Sequence, residues 1–222
     1  MCGRFVLFSD LKDIQRAFDL APSQTEVRQS YNVAPTQQVY VVVQRAGANA
    51  LETMRWGLIP SWAKDEKIGS RMINARAESV AEKPSFKRSL QKRRCLVVAD
   101  GFYEWHTEGA KKTPMFIKLK SDAPFGFAGL YDVWKSPDGE EVTSCTIITT
   151  SANAMMKKIH DRMPVILSKD AQKIWLDPEI TDVEKLVALL KPYPANKMQA
   201  FAVSPLVNSP KNNSADCIAP AK

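Results

Sequence analysis

The apolar residues of this chain fall in short runs of strand length, broken by proline, glycine and polar turn residues, and this patterning restricts the fold more than any other feature. Strand-like runs lie at 4–8, 39–44, 51–59, 95–106 (interrupted at Asp100-Gly101), 114–120, 125–134, 142–149, 164–167 and 198–204, with a short extended piece at 72–76. Helical patterns are fewer. Ser9 is placed to cap a helix whose Leu11, Ile14, Ala17 and Phe18 share one face. A basic helix is expected at 85–94, a short one from 151 to 159 ending at His160, and two more near 170–176 and 182–190. Residues 22–30 and 60–70 read as loops, the second carrying Trp62, and 31–35 as a tight irregular segment. Strands outnumber helices and do not alternate with them. The expected fold is therefore α+β, a mostly antiparallel sheet curled into a barrel-like core with peripheral short helices. One domain spanning 1–222 is expected, with a polar C-terminal tail looping over the surface from about 206.

Composition narrows the setting. No stretch approaches the ~18 apolar residues that a membrane span needs. The opening MCGRFVLFSDLKD has no long apolar segment of the secretory kind. Lys and Arg number 31 against 24 Asp and Glu, a net charge of +7 that suits either a polyanionic partner or a solvated surface. The stretch Lys92-Arg93-Arg94 is assigned to a solvated face. Four cysteines lie far apart, with no C-x-x-C pair, and there are two histidines, so neither a structural zinc site nor a disulfide framework is expected. No cofactor is indicated. A reducing, cytoplasmic location fits these cysteines best.

Cys2 carries the most chemistry. Initiator methionine is generally removed before a small residue, and the chain would then begin with a 1,2-aminothiol. An α-amine has a reference pKa of ~7.7–8.0 and a thiol ~8.5, so both are partly nucleophilic near neutrality, unlike a lysine amine at ~10.4. The amine can form a Schiff base with an aldehyde and the thiol can close on it as a five-membered thiazolidine. The bland alternative is a cysteine that is second by accident. Gly3 leaves room for a substrate, and Arg4 could hold a phosphate or carboxylate. Further polar residues interrupt apolar runs: Asn32, Asn74, Arg76, Glu78, Asp100, Glu104 and His160-Asp161-Arg162. Glu104, between Tyr103 and Trp105, is either a buried carboxylate with a raised pKa, suited to proton transfer, or a surface residue on an alternating strand. His160, after a short helix, is either a general acid favoured in its protonated form by the helix C-terminus or a structural histidine.

Six segments in order then make a resemblance. They are Met1-Cys2-Gly3-Arg4-Phe5, Tyr31-Asn32-Val33-Ala34-Pro35, Trp56-Gly57-Leu58-Ile59-Pro60-Ser61-Trp62, Ile73-Asn74-Ala75-Arg76-Ala77-Glu78, Ala99-Asp100-Gly101-Phe102-Tyr103-Glu104-Trp105 and Ile159-His160-Asp161-Arg162-Met163-Pro164, followed by Val207-Asn208 and Lys211-Asn212. From Met1 to about Asn213 the sequence resembles the SRAP (SOS-response-associated peptidase) family of abasic-site processing proteins. That resemblance implies binding to single-stranded DNA and covalent attachment to the sugar left by base loss. It implies that Cys2 supplies amine and thiol, Asn74 hydrogen-bonds near sugar and cysteine, Glu104 moves protons, and His160 helps open the sugar and reverse the link. Arg4, Arg76 and Arg162 would meet flanking phosphates and Trp62 would stack on or wedge against a base, with Asn32, Thr149 and Lys211 also assigned to the DNA side. The peptidase label is read as removal of Met1, by the protein itself or otherwise, and a weak abasic-site lyase activity is expected beside cross-linking. The implied partner is single-stranded DNA with abasic sites; no membrane or obligate protein partner is indicated, the chain is expected to be a monomer, and on DNA it would accompany the nucleoid.

Two other readings compete. Glutamine amidotransferases of the N-terminal-nucleophile type also begin Met-Cys-Gly, but no glutamine-pocket or oxyanion motif is recognisable downstream, and a peptidase acting on other proteins has still less support. A non-catalytic basic module would bind intact and abasic strands alike.

Overall fold

The computed structural model describes residues 2–22 and 25–221. Among the described residues twelve strands and four short α-helices run in the order β1 (Phe5–Leu7), α1 (Leu11–Phe18), β2 (Ser30–Val33), β3 (Gln38–Arg45), β4 (Ala48–Trp56), β5 (Asn74–Arg76), α2 (Pro84–Lys92), β6 (Arg94–Ala99), β7 (Gly101–Glu108), β8 (Lys111–Leu119), β9 (Phe125–Lys135), β10 (Glu141–Ser151), β11 (Arg162–Pro164), α3 (Lys169–Leu176), α4 (Val183–Val187) and β12 (Met198–Ala202). Strands β4, β3, β6, β9 and β10 pair in succession, and β10 returns to pair with β4, which closes a five-stranded barrel. All its pairings are antiparallel except β10 with β4, so the expected α+β class with a curled, mostly antiparallel core is what the chain adopts. A second sheet, antiparallel throughout, has the order β12-β8-β7-β1-β2.

Alternation along the strands sorts the core into two faces. Val39, Val41 and Val43 join Cys95, Val97, Cys145 and Ile147 in one cluster that also holds Cys2, Phe5 and Phe102. Val42, Leu96, Val98, Leu130 and Ile148 point the other way and pack beneath the helices, against Ile14, Phe18, Leu90, Trp175 and Leu186. The apolar faces of the helices therefore cover the outside of the barrel, and Cys2 sits on the opposite side from them.

Beyond the barrel, the C-terminal half of β10 carries β5 on one edge in parallel register (Ile147 opposite Asn74, Thr149 opposite Arg76) and β11 on the other (Ser151 opposite Arg162). This three-stranded platform gathers motifs that lie far apart in sequence.

Several local expectations change. Asp10, not Ser9, caps α1 by accepting from the Asp13 amide; Ser9 instead gives its amide and hydroxyl to buried Asp100. Residues 31–33 lie in a strand, because β1 offers them a pairing edge, but the register shifts between Phe5 and Leu7, so the expected irregularity persists within the pairing. The helix expected at 151–159 reduces to one 3-10 turn, Met156–Lys158, since β10 runs on to Ser151 to pair with β11. The last helix is only Val183–Val187. Of Lys92-Arg93-Arg94 only Lys92 is solvated: Arg93 pairs with buried Asp132, and Arg94 is buried with its guanidinium on the carbonyls of Leu90, Gln91, Trp175 and Asp177. The tail does not simply loop over the surface either. Val207 and Cys217 are fully buried, and Val203 bridges Pro220.

Candidate active site and nucleic-acid face

The site forms at the seam between the platform and the second sheet. The Tyr103 amide donates to the Arg4 carbonyl at 2.9 Å, so the antiparallel register of β1 on β7 carries residues 2–3 past Glu104. From the platform, Asn74 Nδ2 donates to the Cys2 carbonyl at 2.9 Å. Cys2 is fully buried and Glu104 is 3% exposed. Burial pushes the Cys2 thiol far above its usual range, and the nearby Glu104 carboxylate adds to that rise. The thiol is therefore not the ready nucleophile that exposed reference values suggest; it needs a base at the moment of reaction. Burial also raises the Glu104 pKa, with His160 opposing the rise and Asp161 adding to it. Of the two readings of Glu104, the buried one holds. Asn74 Oδ1 is buried and has no acceptor role filled among the described residues, an acceptor available at the cysteine. Removal of Met1 concerns a residue outside the described ones.

His160 Nδ1 lies 3.0 Å from the Arg162 amide nitrogen and 2.8 Å from Asp161 Oδ1. A neutral Nδ1 accepts from the amide, and a protonated Nδ1 donates to the carboxylate, so the two contacts belong to different charge states.

The DNA-side residues divide into three groups. Arg162 Nη1 and Nη2 grip Glu78 Oε1 and Oε2 at 2.7 and 2.9 Å, and Nη2 also donates to the Thr149 carbonyl at 2.7 Å. Thr149 itself is fully buried, its hydroxyl donating to the Ala75 carbonyl, so it supports Arg162 and has no surface of its own to offer a strand. Arg76, opposite Thr149 in β5, is exposed. Arg4 and Asn32 form a second group. Arg4 Nη1 donates to Asn32 Oδ1 at 2.6 Å and to the Val207 carbonyl at 2.8 Å, and its guanidinium lies over Trp105. Asn32, 1% exposed, donates through Nδ2 to the carbonyls of Val207, Ser209 and Asn212. Both residues thus fasten the tail, and the Asn32 side chain is buried beneath it. Lys211 is exposed on that same fastened segment.

Trp62 stands apart, 59% exposed, in an open groove of about 720 Å³ that Lys64, Lys67, Ile68 and Arg71 also line. Its loop is held from β9 and β10: the Ser61 amide donates to Asp132 Oδ2, the Ile59 amide to Ser144 Oγ, and Trp134 Nε1 to the Ala63 carbonyl. At its base Gly57, at φ +126°, passes so close to Gly69 that a Cβ would meet the Gly69 carbonyl oxygen at 2.6 Å. Asp132 and Ser144 were not singled out from sequence. A carboxylate inside the apolar run 125–134 was the signal for the first; Ser144 had none.

Set beside known proteins, the chain matches the SOS response associated peptidase (SRAP) family over residues 1–210. The chain belongs to the SRAP family. Among SRAP relatives, a Bacillus subtilis protein named abasic site processing protein YoqW is 53% identical over 221 residues, covering 98% of this chain and 99% of its own length. The abasic site processing protein HMCES of Xenopus tropicalis is 32% identical over 263 residues, covering 99% of this chain and 78% of its own. A crystal structure of a protein from Bacteroides thetaiotaomicron superposes with a TM-score of 0.90 at 28% identity, both chains covered fully. Among the described residues no helix is long and apolar enough to cross a membrane.

Proposed function

We propose that this SRAP protein processes abasic sites in single-stranded DNA by forming a covalent thiazolidine between Cys2 and the ring-opened deoxyribose. The observation that carries the reading is Cys2 tethered through its carbonyl by Asn74 and buried beside a carboxylate, Glu104, whose proton affinity burial has raised. The names borne by its relatives in bacteria and vertebrates point to the same substrate.

With Met1 gone, the neutral α-amine of Cys2 adds to C1′ of the open sugar. The carbinolamine oxygen takes a proton from the Glu104 carboxyl and leaves as water, giving an iminium. The Cys2 thiol then returns a proton to Glu104, its sulfur adds to C1′, and the nitrogen keeps its electron pair as a neutral ring amine. Aldehyde, amine and thiol become thiazolidine plus one water, and Glu104 ends as it began. The thiol is two carbons from the nitrogen, so closure is intramolecular and has a high effective molarity. It competes with loss of the C2′ proton and elimination of the 3′ phosphate, the route that breaks the strand. His160 is suited to proton exchange at the sugar ring oxygen during opening. Arg76, Arg162 and the exposed Trp62 with its neighbouring lysines supply the cations and aromatic face that single strands favour, at ~1–3 kcal/mol per stacked base.

The test is a denaturing gel of a uracil-containing single strand, with and without base excision, beside the intact mass of the purified chain. A shifted band only after excision, and a chain lacking Met1, are expected. Cys2→Ala should leave weak strand cleavage through its amine but no stable adduct; a heat-resistant adduct from that variant refutes the thiazolidine.

A further inference from the structure

Arg162 raises a difficulty that the mechanism leaves open. Both ends of its guanidinium fork are filled by Glu78, and Nη2 is filled further by Thr149. Of its two remaining N–H groups, one on Nη1 and one on Nε, the Nε is buried and lacks a partner among the described residues, so no two adjacent donors stay open together. No free edge of the guanidinium is left for a phosphate. Yet a carboxylate gripped end-on by two N–H groups has the geometry that the same fork uses for a phosphodiester. We propose that the Glu78 carboxylate stands in for a backbone phosphate on Arg162, and that a bound strand displaces it.

Burial says which partner moves. The Arg162 side chain is 14% exposed and that of Glu78 52%. Arg162 is fixed at both levels: its backbone pairs with Ser151 and donates to His160, and its side chain is braced by Thr149 on the adjoining strand. Glu78 lies just past the end of β5, in a turn closed by the Ser79 amide on the Arg76 carbonyl, with its carboxylate toward solvent. It can rotate away while Arg162 stays. Arg76 is close enough to act on the Glu78 charge, as Arg162 does, so displacement leaves the carboxylate near a second cation.

The consequence is discrimination. Every strand, damaged or not, must displace Glu78, which weakens all reversible binding equally. An intact strand then dissociates readily, whereas an abasic one is retained by its bond to Cys2. Glu78 is thus a specificity-determining residue, and this inference rests on the single-strand reading above.

The experiment measures binding of a short undamaged fluorescent single strand across a potassium chloride series, for wild type, Glu78→Gln, Arg162→Gln and the double variant. Glu82→Gln, an exposed acid on the following turn, controls for charge alone. Glu78→Gln should bind about two- to fivefold tighter, the range an exposed ion pair commands. Its slope of log affinity against log salt should steepen by up to about 0.7, because wild type frees an anion that takes up a cation as the strand releases one. Glu82→Gln should match wild type, and the gain should vanish on the Arg162→Gln background. Glu78→Asp, which keeps the charge but shortens the reach, should fall between wild type and Glu78→Gln, and decides the matter if the glutamine variant misfolds. Equal or weaker binding by Glu78→Gln overturns the proposal, as does a gain that survives without Arg162. Cross-linking of an abasic strand by wild type is scored separately. Its absence alongside the expected binding pattern would refute the covalent mechanism and leave the exchange standing.

Discussion

Replacing Asn32 by alanine probes how the N-terminal strand and the tail hold each other. Asn32 Oδ1 accepts from the Arg4 guanidinium at 2.6 Å, and its two amide hydrogens serve the carbonyls of Val207, Ser209 and Asn212 at 3.3, 2.9 and 2.7 Å. A bond to a charged donor is worth ~1.5–3 kcal/mol and each neutral one ~0.5–1.5; because three carbonyls share two hydrogens, two neutral bonds are counted, and mid-range values put the loss in the alanine variant at roughly 3–5 kcal/mol. That is a large share of a typical ~5–15 kcal/mol stability. At ~2–4 °C per kcal/mol for a chain of this size, melting should fall by about 6–20 °C. Differential scanning calorimetry reads the fall, and hydrogen exchange locates it. The amides of Val207, Ser209, Asn212 and Cys217, which close turns within the tail, should exchange faster. Asn32→Asp keeps an acceptor for Arg4 but turns an anion toward three carbonyls, so it should free the tail while sparing the Arg4 contact. A melting point within about 2 °C of wild type and unchanged tail exchange would show that the tail is anchored elsewhere.

Glu104→Gln removes the proton carrier and should slow cross-linking by about 10²–10⁴-fold in single-turnover measurements; a rate near wild type would remove Glu104 from the mechanism. The same variant has an opposite signature in stability. Burial raises the folded-state pKa of Glu104, so once pH passes ~4.3 the unfolded chain releases a proton that the folded one retains. Stability is lost as pH rises from there through the raised value, and Glu104→Gln should therefore gain on wild type between pH 4 and 7 in denaturant titrations; a gap that stays flat or narrows contradicts the burial argument. Gly57→Ala places a Cβ against the Gly69 carbonyl at a φ disfavoured for alanine, at about 1–3 kcal/mol, and should weaken single-strand binding by loosening the Trp62 loop. Tryptophan fluorescence quenching by an oligonucleotide reads that loss, and unaltered quenching would detach Gly57 from the groove.

How far the fold was legible follows from where its information lies. Strand positions depend on local alternation and on breakers: 39–44 and 125–134 fall inside β3 and β9, and 114–120 overruns the end of β8 by one residue. The break is likewise real: Asp100 separates β6 from β7, and Gly101, which opens β7, packs so close to Phe116 that a Cβ there would strike its ring. Where local signals competed with pairing, pairing prevailed. Residues 151–159 have helical character, but β11 draws Ser151 into the sheet. Arg93 and Arg94 looked solvated because the groups that bury them, Asp132 and the α3 C-terminus, lie 39 or more residues away.

The amino-acid sequence by itself determined the chemistry on offer: an aminothiol exposed if Met1 is removed, a strand-rich chain, and polar residues set within apolar runs. Those properties reside in residue types and near-neighbour spacing. Tertiary structure decided what each polar group is free to do. It buried Cys2 and Glu104 together and so raised both proton affinities. It tied Arg4 to a carbonyl 203 residues distant and filled the Arg162 fork with a carboxylate 84 residues away. Charge state and availability depend on solvent exclusion and on partners brought in by chain crossings, and no local pattern encodes those.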